Sequence, residues 1–191
     1  VDWRLVDAVY PTSQFKQRVA ARAQELAAAS DRPAAGPGIT LTPLTPKVTD
    51  DAITYSAVSL QIDRDKRSAT LTVNGPEPGQ PNTPEAIQAA GDTYWPLRAF
   101  RELDDALLQL RINELEIGTI CIRTEGDPAA VLAIDETLVR LQSDWLVNEI
   151  ILLMKRTLKR LDLTSRTFFA LIEEGSAFAG SLFELALAAD R

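Results

Sequence analysis

Two short apolar runs set the tightest limit on how this chain can fold. Ile117, Ile120, Cys121 and Ile122 form the first, and residues 167–172 form the second. Between them lies a long amphipathic stretch, 136–161, with Leu138, Leu141, Trp145, Leu146, Leu153, Thr157 and Leu158 at helical spacing. Antiparallel neighbours need only a tight turn, whereas parallel neighbours need a crossover of a dozen residues or more. The two runs are therefore expected to be parallel neighbours in one sheet, with the helix crossing between them.

Upstream the period changes to two. Ile53, Tyr55, Ala57, Ser59, Leu60 and Ile62 read as one strand, 63–67 as a polar turn, and Ala69, Leu71 and Val73 as the returning strand of a hairpin. The loop 74–85 follows, then a helix with Trp95, Ala99, Phe100, Leu103, Leu107 and Leu110 on one face. Nearer the start, residues 12–31 read as a separate helix striped by Phe15, Val19, Ala23 and Leu26. Pro33, Pro37, Pro43 and Pro46 make 32–51 a linker, expected at the surface without regular structure. The fold class is thus α/β, with a helical segment over residues 1–31, the linker 32–51 and an α/β segment over residues 52–191. Trp3, Trp95 and Trp145 read as core side chains, and no internal repeat is evident.

Composition removes several functions. Apolar residues make up 46% of the chain, enough for a core. A formal charge of −7 argues against nonspecific nucleic-acid binding. No run reaches the length of a membrane span, and no signal-peptide pattern is present. The single cysteine, Cys121, has no internal disulfide partner and fits a reducing cytoplasm as an inert core thiol. With no histidine, Ser–His and Cys–His machinery is excluded, and a zinc or iron site is disfavoured. Acid–base chemistry would fall to Asp, Glu, Lys, Tyr or Cys.

The stretch "ALIEEGSAFAGSLFELALAAD", 170–190, carries the densest signal. An apolar run stops at Glu173 and Glu174, passes through Gly175, Ser176, Ala177, Ala179 and Gly180, and enters a helix holding one acid, Glu184. The first N–H groups of a helix lack intrahelical partners, and the macrodipole favours negative charge there. Small side chains let a ligand oxygen approach the backbone, so this suits an oxyanion hole. The same residues also suit a tight turn that only eases packing. Glu184 reads either as a catalytic acid or as a carboxylate stabilised by the macrodipole; Glu173 and Glu174 read as caps or solvated acids. Lys155, Arg156, Lys159 and Arg160 read either as phosphate contacts or as a solvated helix end.

"LIEEGSAFAGSLFELALAAD" resembles the loop and helix of the crotonase (enoyl-CoA hydratase/isomerase) superfamily, whose form is G-x-A-x-G-G-G-x-E-L-A-L-x-x-D. Glu184 to Leu187 and Asp190 match its end, and Gly180 matches the first of three glycines. Ser181 and Leu182 replace the other two, and the loop is one residue longer. "AVLAID", 130–135, stands at the superfamily's A-G-A-D, with Ala133 for the glycine and Ile134 at the second oxyanion donor. "WRLVDAVY" and the helix after it resemble the late portion of a crotonase unit. The resemblance implies a crotonase-like fold of repeated ββα-type units, incomplete at both ends: the end of one unit, the linker, and the start of a second.

"WPLRAFRELDDALL", "TEGD" and "LTSRTFFALIEEGSAFAG" narrow the resemblance to the branch that opens the ring of an oxidised, non-aromatic benzoyl-CoA with water, releasing formate and an aldehyde-bearing thioester. What this implies is a cytoplasmic homo-oligomer with an acyl-CoA substrate, no nucleic-acid or membrane partner, and no metal or redox cofactor. Glu184 would be catalytic, the Ile134 and Ser181 N–H groups would form the oxyanion hole, and Lys155 and Arg156 would meet coenzyme A phosphates. The lost glycines and Ile134 point to a chain that is catalytically silent by itself. The alternatives are a generic enoyl-CoA hydratase or isomerase, and a non-catalytic scaffold that packs and oligomerises the active unit.

Overall fold

The computed structural model describes residues 3, 5–31 and 35–191. The chain divides into two compact units, 1–37 and 38–191. In the first unit, α1 (Thr12–Ala28) ends three residues before the expected boundary of 31 and buries none of its residues. Its stripe of Phe15, Val19 and Leu26 is exposed, and so is Trp3, at 85%. The core position expected for Trp3 is thus corrected. Residues 32–34, with Pro33 of the expected linker, lie outside the described residues.

The second unit is α/β, built on one mixed sheet of six strands in chain order. The strands are β1 (Lys47–Val48), β2 (Ala52–Thr54), β3 (Val58–Asp63), β4 (Ser68–Asn74), β5 (Thr119–Glu125) and β6 (Thr167–Ala170). The pairs from β1 to β4 are antiparallel. β4–β5 and β5–β6 are parallel, with Leu71 opposite Ile122 and Ile122 opposite Ala170. The two apolar runs are therefore parallel neighbours, as their spacing requires.

Three segments differ from the sequence reading. The linker expected over 32–51 contains β1, and Ile39 packs against the core. The single strand expected over 53–62 is two, β2 and β3, turned back at 55–57, where the Tyr55 N–H donates to the Val58 carbonyl at 2.8 Å. The single helix expected over 136–161 is also two, α4 (Pro128–Arg140) and α5 (Trp145–Asp162). Asp127 caps α4 by accepting the Ala129 N–H at 2.9 Å, and Pro128 fits the first helical position because its missing N–H would have no partner there. Asp144 caps α5 by accepting from Leu146 and Val147.

Alternation along the strands places the core. Val58, Leu60 and Ile62, Ala69, Leu71 and Val73, and Ile120 and Ile122 are buried on one face. α3 (Trp95–Ile112) packs on β3 and β4, α6 (Gly180–Leu187) packs on β5 and β6, and α5 packs against α3. Trp95 is buried as expected; its indole N–H donates to the Asn74 carbonyl at 2.9 Å. Cys121 alternates with Ile120 and Ile122 and is only half-buried, so its expected core placement is corrected to the opposite face of β5. The β6 edge is closed by chain: Asp190 accepts the Phe168 N–H at 2.9 Å and returns its own N–H to the Phe168 carbonyl.

The turn at 55–57 is held from the helix layer. Glu102 of α3 is 3% exposed and accepts from the Ser56 N–H and hydroxyl and from the Ala57 and Val58 N–H groups. Removing the carboxylate strands two buried donors, the Ala57 and Val58 N–H groups, each costing roughly 1–3 kcal/mol. Glu102→Ala is expected to lose roughly 2–4 kcal/mol in urea unfolding, whereas Glu174→Ala, at an exposed position, should stay within about 0.5 kcal/mol.

Candidate functional site

The carboxyl ends of β4, β5 and β6 meet where the small-residue loop returns to the sheet. The Gly75 N–H donates to the Glu125 carbonyl at 2.7 Å, the Gly126 N–H to the Gly175 carbonyl at 3.2 Å, and the Ala177 N–H to the Thr124 hydroxyl at 3.0 Å. Glu173 pairs with Arg123, and its N–H donates to the Ser176 hydroxyl, so it belongs to the turn before the loop; Glu174 is exposed. The loop then enters α6 at Gly180, whose φ is +46°. A Cβ at Gly180 would collide with the Asp135 carboxylate. Both the dihedral angle and that close approach require glycine.

Asp135 of α4 is the group the loop is shaped around. Its Oδ2 accepts the Ser181 N–H at 2.6 Å, at the start of a helix whose N-cap, Ala179, has no capping side chain. The donor expected for an oxyanion is therefore taken by a carboxylate of the same unit. Tyr94 lies near: it is 1% exposed, and its hydroxyl has no partner among the described residues. Burial first, and the Asp135 charge second, push its pKa up to about 12. Burial likewise raises the Asp135 carboxyl above its ordinary value, against the lowering effect of the Ser181 N–H.

Besides Ser181, the expected site residues fall in three places. Ile134 lies in the interior of α4, where an N–H belongs to the intrahelical ladder, so its assignment as an oxyanion donor is corrected. Its side chain lines a cleft of about 300 Å³ between α4 and the loop Glu77–Asn82. Arg140 holds that loop by donating to the Asn82 carbonyl at 2.9 Å. Glu184 is exposed and shares a different groove, of about 530 Å³ between α5 and α6, with Lys155 and Lys159. Arg156 points elsewhere, toward Asp104 at 3.9 Å, while Arg160 binds Asp104 at 2.6 Å. Glu184 and Lys155 are brought together, but neither shares a cleft with Ile134, and Arg156 is apart from both.

Sequence reasoning does not single out Asp135 or Tyr94. Asp135 is legible as the last residue of "AVLAID", where the superfamily motif also ends in an acid. Tyr94 carries no signal beyond preceding Trp95 and Pro96. Among the described residues, no group of three or more His, Cys, Asp or Glu is placed to hold a metal, and no helix is long and apolar enough to cross a membrane.

No family model matches the chain. Among curated proteins, it is 48% identical over 190 residues to benzoyl-CoA-dihydrodiol lyase of Aromatoleum evansii. The chain is similar throughout to one portion of that lyase. The match takes in all of this chain and 34% of the relative, so the chain spans about a third of the lyase's length.

The Asp135 contact has a measurable pH signature. A carboxyl held above its unfolded value binds its proton more tightly when folded. Its contribution to stability is full below the unfolded value, near about 4, and is lost as pH rises through the raised folded value. Asp135→Asn keeps an oxygen for the Ser181 N–H and removes the charge. Its melting temperature relative to the parent should rise with pH above about 4 and level off beyond the raised value. A relative melting temperature that falls with pH would contradict the placement of Asp135.

Proposed function

We propose that this chain belongs to a lyase that opens the ring of an oxidised benzoyl-CoA, its dihydrodiol or 2,3-epoxide, with water. The products are formate and an aldehyde-bearing coenzyme A thioester. The observation that carries this reading is the 48% identity that runs through the whole chain. The crotonase-like reading agrees with it: parallel strands meet a glycine-bearing loop and a helix N-terminus at their carboxyl ends. In that reading the protein is a cytoplasmic homo-oligomer, and the reaction uses carboxylates, water and backbone donors without a metal or redox cofactor.

Within such a lyase the chain acts as the packing partner of the catalytic machinery. A thioester carbonyl gathers negative charge as it reacts and needs N–H donors aimed at it. Here the Ser181 N–H already faces a carboxylate, and Ile134 offers no free N–H. An oxyanion brought to that point would meet like charge. Glu184, exposed beside Lys155 and Lys159, acts as a solvated acid, and Lys155 is the coenzyme A phosphate contact that this groove offers.

Two assays test the reading. Incubated with the 2,3-epoxide of benzoyl-CoA, the 191-residue chain should release no formate above background; turnover that Glu184→Gln abolishes would overturn the packing role. Replacing the matched third of the Aromatoleum evansii lyase with this chain should leave a formate-releasing enzyme. A folded chimera without activity would overturn the assignment to the lyase.

A further inference from the structure

A third cleft, of about 420 Å³, lies between the segment Thr42–Lys47, the turn at Tyr55–Ser56 and the first two turns of α3. Two arginines of α3, Arg98 and Arg101, line it. That is the wrong end of a helix for cations, because the macrodipole is positive there. No acid lies in the first turn of α3, and its N-cap, Tyr94, supplies no side-chain cap. Something else must compensate the charge.

For Arg101 the compensation is visible. It pairs with Asp92 at 3.4 Å and donates to the Thr42 carbonyl at 2.7 Å. For Arg98 there is none: its side chain has no hydrogen bond or ion pair among the described residues, and its Nε is sealed from solvent without an acceptor. The carboxylates nearby are engaged. Asp92 also accepts the Thr42 N–H and hydroxyl, Glu102 accepts four donors from the 56–58 turn, and Asp105 accepts the Tyr55 hydroxyl at 2.5 Å. Lys47 lines the same cleft and has no acidic partner among the described residues. The lining thus holds three cations, Lys47, Arg98 and Arg101, against two carboxylates, Asp92 and Glu102, and only Arg101 among the cations is paired.

We propose that the Arg98–Lys47 cleft is a binding site for a phosphate-bearing anion. The terminal N–H groups of the planar guanidinium, which unlike Nε are not sealed and have no acceptor among the described residues, suit bidentate contact with phosphate oxygens, and Lys47 supplies a second point charge. The space exceeds one phosphate, and Pro43, Leu44 and Pro46 wall it, so a diphosphate on an organic carrier fits as well as the free anion. The site stands independently of the lyase reading.

Calorimetric titration with inorganic pyrophosphate tests it, with ADP as a parallel arm. Saturable binding at one site is expected, weakening with salt. Arg98→Met should weaken it by about tenfold or more, Lys47→Gln by less, and Lys66→Gln, at a lysine paired with Asp63 outside the cleft, not at all. Tighter binding of ADP than of pyrophosphate would support an organic carrier; weaker binding would support the free anion. Without ligand, Arg98→Met should melt no lower than the parent, because it removes an unsatisfied donor; an arginine that merely holds the fold would give a loss. If Arg98→Met does not fold, the Lys47→Gln titration decides. Absence of saturable binding of both probes, or binding that the Arg98 and Lys47 variants leave intact, overturns the proposal.

Discussion

The sheet depends on a carboxylate that comes from outside it. Glu102 reaches from α3 to the corner between β2 and β3 and accepts from the Ser56, Ala57 and Val58 N–H groups and the Ser56 hydroxyl. Turned backbone beneath a helix would otherwise hold buried N–H groups with no partner. Because the turn and the helix share this one group, the buried N–H groups of the turn find their acceptor only with α3 in place. The antiparallel half of the sheet and the helix that covers its buried face are therefore fixed together.

A second constraint orders the parallel half. β4 and β5 end together at Asn74 and Glu125, β6 stops three residues earlier opposite Ile122, and the segments beyond them exchange hydrogen bonds through Gly75, Gly126, Gly175 and Thr124. In open α/β sheets such carboxyl ends are where ligands bind. Here Asp135 closes the space by bonding Ser181, and Tyr94 is buried beside that charge. The architecture of a binding edge is present, with its donor engaged internally.

Much of this is readable from residue spacing. The parallel pairing follows from two apolar runs too far apart for a turn, and the burial of Trp95, Phe100, Leu103 and Leu107 follows from one helical face. What escapes is decided by single polar side chains acting at a distance. The break between α4 and α5 rests on Asp144, which periodicity ignores because Leu141 and Trp145 continue the apolar stripe. The turn at 55–57 rests on Glu102, some 45 residues away in sequence. The filling of the α6 N-terminus rests on Asp135, 46 residues from Ser181. Local pattern carries no record of which distant carboxylate will meet which loop.

Asp135 can also be viewed as a ligand that never leaves. It is carried on the same folded unit as the Ser181 N–H, so it competes for that donor by an intramolecular route, at an effective concentration that a dissolved acyl thioester does not approach. An enzyme gains from such a donor only if it is free when charge develops on the substrate. A donor that bonds Asp135 instead ties the start of α6 to α4.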